Sequence, residues 1–220
     1  MLFEVLKVAM LASMACASVL PTSSKRLTPR AAQAADQILQ IAPKSSTCAN
    51  APAPDECATN VQAAPFLIAA MSKYSIYSVS EIAAVLSVIA FESGDFKYNT
   101  NHFPAPGRPG QGTRAMFMPN YVLLYARSIP ELADKLNAIT TASTVDGLSD
   151  DKLNAIRALV LPDEYTWGSA AWFLTTQCAS IRSSLQTGSQ AGYEAYMGCL
   201  GVTATDDRLA YWKQATAAFS

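Results

Sequence analysis

Glu92 is the residue whose setting most invites chemistry. In the apolar stretch from 80 to 92, positions 82, 85, 89 and 92 share one helical face, so Glu92 continues a core-type stripe of Ile82, Val85 and Ile89. A carboxyl in that line loses solvation and its pKa rises. A glutamic acid still protonated near neutrality can act as a general acid. A two-carboxylate reaction needs a partner, and Asp95, three residues on, is the nearest in sequence. Gly94 ends the helix between them, so Asp95 is either that partner or a turn residue that satisfies local backbone groups. Asp150, Asp151, Asp163 and Glu164 are more distant carboxylates with no motif around them.

The other reactive side chains are few. His102 is the single histidine, and no G-x-S-x-G elbow surrounds any serine, which argues against a Ser-His hydrolase. Of five cysteines, Cys16 falls in an N-terminal segment expected to be removed. The remaining four imply two disulfides in an oxidising compartment, with three possible connectivities. The pairing Cys48 with Cys57 and Cys178 with Cys199 is preferred because each closes a short loop. A Cys-His nucleophile conflicts with paired cysteines. With no C-x-x-C spacing and His102 far along the chain from every cysteine, neither a metal site nor a cofactor is expected.

Half of the 220 residues are hydrophobic and 15% charged, with 16 basic against 17 acidic side chains. This excludes a disordered chain and a nucleic-acid binder that works by bulk positive charge. Residues 1–17 read as a secretory signal: Lys7 precedes an apolar run over 8–20, and Ala15-Cys16-Ala17 supplies the small residues of a cleavage site. Residues 18–30, with the dibasic Lys25-Arg26, read as a propeptide or a flexible arm, and 31–220 as one domain. No later apolar run is long enough to span a bilayer. The expectation is a secreted, extracellular monomer with neither nucleic acid nor membrane as partner.

The elements that would position Glu92 are helical. The spacing predicts helices over 31–41, 65–74 and 80–92, the last introduced by a Ser78/Glu81 capping box. Further helices are expected over 119–127, from a Ser128/Glu131 capping box to 138, and over 149–161, 166–178, 189–199 and 205–219. Trp167, Trp172 and Trp212 fall at core positions within them. The proline- and glycine-rich stretch 95–119 interrupts this pattern, and its aromatic residues argue for an ordered, functional loop. The fold class is mainly α: all-α, or α with one minor β-hairpin in the 95–119 region.

The string AAVLSVIAFESGDFKYN, residues 83–99, resembles the catalytic helix of the lysozyme-like superfamily, especially the goose-type lysozymes and soluble lytic transglycosylases. There a hydrophobic helix ends in Glu-Ser and the glutamate is the catalytic acid. GTRAMFMPNYVLLYA, 112–126, looks like the family's glycine-led segment. YTWGSAAWFLTTQC, 165–178, is similar to its later Gly-Ala-faced helix, and the likeness extends over about 62–215. Two departures stand out. Met116-Phe117 replaces the family's Met-Gln pair, with Gln111 as a substitute at a different spacing, and the later Ala-Tyr-Asn segment is matched only loosely near Tyr193 and Tyr196.

The resemblance implies a lysozyme-like domain with a cleft walled by the 95–119 loop and Glu92 on its floor, cleaving β-1,4 bonds of peptidoglycan or a related amino-sugar polymer. Asp95 would be the second carboxylate, and Ser93 would orient the acid. Tyr98, Asn99, Asn101, His102, Gln111 and Tyr193 would line the sugar cleft, and Arg108 and Arg114 would pair with stem-peptide carboxylates. Two alternatives accompany this expectation: a secreted, non-catalytic binding protein on the same fold, and a chitin-cleaving enzyme.

Overall fold

The computed structural model describes residues 28–220. The signal and most of the 18–30 arm lie outside the described residues. The first helix, α1 (Pro29–Ile41), starts two residues earlier than expected because Thr28 caps it through Oγ1. Pro29 and Arg30 therefore belong to the helix and not to an arm.

α2 (Asn60–Lys73) also starts earlier than the predicted 65. Thr59 and Gln62 form a reciprocal capping box, and Pro65 becomes the sixth residue of the helix. α3 (Val79–Glu92) matches its predicted span, but not its predicted cap. Ser78 is the N-cap without a side-chain bond, because Glu81 is buried and turned to Arg182, whose Nε and Nη2 donate to it at 2.6 and 3.2 Å. Every residue from Ala83 to Ala90 is buried, so α3 is enclosed on all sides, as an apolar run without a polar face must be. Helices α1, α8 (Ser169–Thr176), α9 (Arg182–Leu185) and α11 (Asp206–Ala217) pack around it.

A second group comprises α4 (Pro119–Arg127), α5 (Ala133–Ile139) and α6 (Asp150–Val160), the last capped by Ser149. The Ser128/Glu131 box does not form. Pro130 forces the preceding residue into an extended conformation, so Ser128 ends α4 and α5 begins only at Ala133. The predicted 166–178 helix is shortened to α8, Ser169–Thr176, and Thr166 belongs instead to a preceding turn of helix, α7 (Asp163–Thr166), set off at Trp167-Gly168. A Cβ on Gly168 would lie 3.0 Å from the Tyr125 hydroxyl. α10 (Gln190–Cys199) is capped by Ser189.

The fold class is mainly α. Among the described residues, the 95–119 region contributes isolated antiparallel bridges, Thr100 with Gly112 and Gly112 with Phe117, in place of a hairpin. Gly112 is required there, since a Cβ would stand 2.8 Å from both the Asn99 carbonyl and Arg157. Both expected disulfides, Cys48–Cys57 and Cys178–Cys199, are present. Trp167, Trp172 and Trp212 are all core residues.

Candidate functional site

Glu92 closes α3 with about a quarter of its side chain exposed. Its Oε1 accepts from Arg208 Nη2 at 3.0 Å, and the Arg208 guanidinium lies 4.5 Å from the centre of the Phe91 ring. Burial raises the Glu92 pKa above the ordinary glutamate value, and the hydrogen bond and charge of Arg208 only partly offset this. The raised pKa follows from the stripe of Val85 and Ile89 beneath it. Arg208, from α11, was not among the expected residues: it lies 116 residues away, in a helix start that reads as a solvated Asp-Asp-Arg turn.

Most other expected site residues are engaged in building the loop. Ser93 is fully buried; its hydroxyl donates to the Ile89 carbonyl at 2.6 Å and accepts from the Phe96 amide at 2.9 Å, so it shapes the turn and does not reach Glu92. Asp95 is 1% exposed, in a left-handed turn at φ 57°, and accepts from the Lys44 amide and the Tyr211 hydroxyl at 3.0 and 2.7 Å. Those bonds use both of its oxygens, which fits the turn reading and not a second acid.

Arg114 is 2% exposed and donates to the carbonyls of Phe96, Tyr98 and Glu56 while stacking on Trp167 at 4.4 Å. It ties three segments together and is closed to an external carboxylate. Burial lowers its pKa to about 10, so it is charged at neutrality. Gln111 donates to the Met116 carbonyl, and Asn101 accepts from the Arg108 amide. Tyr193 is buried, stacked on Trp212, with its hydroxyl donating to the Arg208 carbonyl. It supports the arginine from behind.

His102 bonds Glu56 at 2.9 Å, and Tyr98 packs against His102 and Phe103. Glu56 also accepts from the amides of Asn99 and Thr100 and from the Thr100 hydroxyl, at 2.6–2.9 Å. Burial works to raise the Glu56 pKa, but those bonds together hold it below the ordinary glutamate value. Among the described residues, no three His, Cys, Asp or Glu side chains converge as metal ligands would.

A separate apolar cavity of about 390 Å³ lies between α1, α2, the turn after α2 and α3. Ile38, Leu67, Ile68, Met71, Ile76 and Leu86 form much of its wall, and neither Glu92 nor any residue of 95–119 lines it. The α1 residues that line it, 30, 33, 34, 37 and 38, and the α2 residues, 64, 67, 68, 71 and 72, each follow a helical face. The helix predicted over 65–74 includes Leu67 and Met71, but helical spacing does not reveal whether a partner face leaves a gap.

A curated relative is a bifunctional dioxygenase–epoxy alcohol synthase of Fusarium oxysporum (strain Fo5176), 47% identical over 174 residues. That relative is an enzyme. The match takes in 78% of this chain and 13% of the relative, so the chain corresponds to one segment of a much longer protein. No family model and no solved structure matches the chain. The relative's name describes oxygen insertion and epoxide formation, and on that finding the expectation of a glycosidase acting on peptidoglycan or chitin is overturned, together with an amino-sugar polymer as partner.

Proposed function

We propose that the chain is the ligand-holding domain of an oxygenase-type enzyme, and that it keeps a hydrocarbon-rich substrate or product in the cavity between α1, α2 and α3. Dioxygenation of an unsaturated chain gives a hydroperoxide, and rearrangement of its O–O bond across a neighbouring alkene gives an epoxy alcohol with the same atoms. Every species in that sequence remains mostly hydrocarbon. The observation that carries the proposal is the cavity itself: its volume of about 390 Å³ falls within the range of roughly 300–1,000 Å³ usual for small-molecule sites, and its walls are mainly aliphatic. Burial of such a ligand is driven by removal of its apolar surface from water.

The part proposed for this domain is to bind and orient the ligand. Two disulfides support secretion as part of the same proposal. The resemblance of 83–99 to the lysozyme-like superfamily supports a proposal about the scaffold alone: α3 ends in Glu92-Ser93 and the Gly168–Ala171 segment leads α8 against it.

The test is displacement of a neutral fluorescent reporter, N-phenyl-1-naphthylamine, from the full chain by octadecadienol. Saturable binding and displacement are expected, and Leu67→Trp and the milder Ile68→Trp should each weaken both while the far-ultraviolet circular dichroism stays native. No saturable binding, or binding indifferent to both substitutions, overturns the proposal.

A further inference from the structure

One side chain of the 95–119 loop reaches outside the loop for its hydrogen bonds. The Lys97 ammonium donates to the Lys44 carbonyl at 2.7 Å, to the Thr47 carbonyl at 2.5 Å and to Cys57 Sγ at 3.6 Å. Both carbonyls lie just before Cys48, so the cation stands beside the Cys48–Cys57 disulfide and touches one sulfur of it. The contact is one-sided, since no Lys or Arg donates to Cys48 Sγ among the described residues. Buried Asp95 and exposed Lys44 are the charged groups that act on Lys97. Both cysteines are half-buried, and exposed Thr47, Ala49 and Asn50 flank Cys48. In the other disulfide Cys178 is fully buried, and among the described residues no Lys or Arg donates to either sulfur.

Thiol–disulfide exchange begins when a thiolate attacks one sulfur and the other departs as a thiolate, faster the lower the pKa of the departing thiol. An ammonium beside a sulfur stabilises its thiolate. Here that sulfur is Cys57, which leaves Cys48 as the one attacked.

We propose that Cys48 is a site of reversible S-thiolation: a low-molecular-weight thiolate bonds to Cys48 Sγ, the Cys48–Cys57 bond breaks, and its electron pair stays on Cys57 as a thiolate held by Lys97. Attack of that thiolate on the mixed disulfide restores the original bond and releases the small thiolate, so the exchange needs no oxidant. Glu56, next to Cys57, carries the effect into the loop. Its carboxylate accepts from the amides of Asn99 and Thr100 and its carbonyl accepts from Arg114 Nη2. Freeing Cys57 from Cys48 therefore loosens the segment that holds the loop in place.

The experiment exposes the full chain briefly to 2-mercaptoethanol at pH 8, quenches it with acid, and locates the adduct by tandem mass spectrometry after free cysteine is alkylated. The adduct should sit on Cys48 and the alkyl group on Cys57, by about tenfold over the reverse, the scale of one charge-assisted hydrogen bond. Lys97→Met should lose that preference and open the bond about tenfold more slowly, while Lys97→Arg keeps both and Cys178–Cys199 opens at the same rate in all three chains. A purely structural pin gives the opposite sign, because its removal exposes the disulfide and speeds its opening. Hydrogen exchange at Asn99 and Thr100 should quicken in the adduct. An adduct divided evenly between Cys48 and Cys57 in the native chain, or faster opening in Lys97→Met, overturns the assignment of the site. Unchanged exchange at Asn99 and Thr100 overturns the coupling to the loop.

Discussion

Glu92 and Glu56 hold their protons in opposite ways, and this makes their contributions to stability separable by pH. Burial raises the Glu92 pKa in the folded chain, with Arg208 only partly offsetting it, so the stability linked to this group is fully present below the unfolded pKa and is lost as pH rises through the folded one. Glu92→Gln removes the ionisation; urea unfolding should show the variant gaining on the native chain from mildly acidic to neutral pH, and matching it below about pH 4. At Glu56 burial is outweighed by the bonds from Thr100, Asn99 and His102, and the folded pKa is lowered. Its stability is present above the unfolded pKa and lost as pH falls through the folded one. Glu56→Gln should therefore cost most at neutral pH, with the deficit closing in acid. Two variants with the same pH trend would refute this account. The raised pKa of Glu92 was legible from its place in line with Val85 and Ile89. Its partner Arg208 was not, since the pairing depends on how α11 crosses α3 and no local pattern records that.

At the scale of elements, the ends and the loop depend on contacts across the chain more than on local pattern. The α3 span was readable from its apolar run, and Ser149 and Ser189 from the polar residue just before a helical stripe. The Ser78/Glu81 box failed because Arg182, a hundred residues away, competes for Glu81. Ser93 and Asp95 follow the turn readings open to them, whereas Gln111 and Arg114 do not line a cleft: a loop rich in polar side chains reads as a binding surface, yet here those side chains satisfy backbone groups. The disulfides were legible from spacing and give the element-scale prediction. Replacing Cys178 and Cys199 by Ala opens a loop with a sequence separation of 21; replacing Cys48 and Cys57 opens one of 9. Loop-closure entropy puts the losses at about 3.3 and 2.6 kcal/mol. Denaturant unfolding of the two double variants should reproduce that order.

For the whole molecule, the helical class followed from composition and period, whereas the cavity did not: it is a mismatch between faces that are each well formed. Its occupancy should be visible in global stability. Octadecadienol at a hundredfold excess over its dissociation constant stabilises the folded state by about 2.7 kcal/mol, which for a chain of this length raises the melting temperature by roughly 5–10 °C. Differential scanning calorimetry checks this, and Leu67→Trp should abolish the shift. A native chain whose melting temperature ignores the ligand would contradict the cavity's role.

The packing of α11 against α3 also bears on how the chain is made. α3 emerges from the ribosome complete at residue 92, but α11, which packs against it, is finished only at residue 217. At roughly 5–20 residues per second that interval lasts about 6–25 s, during which one side of a largely apolar helix has no permanent neighbour. Nascent chains of this domain should therefore recruit a chaperone over that window and release it when α11 docks.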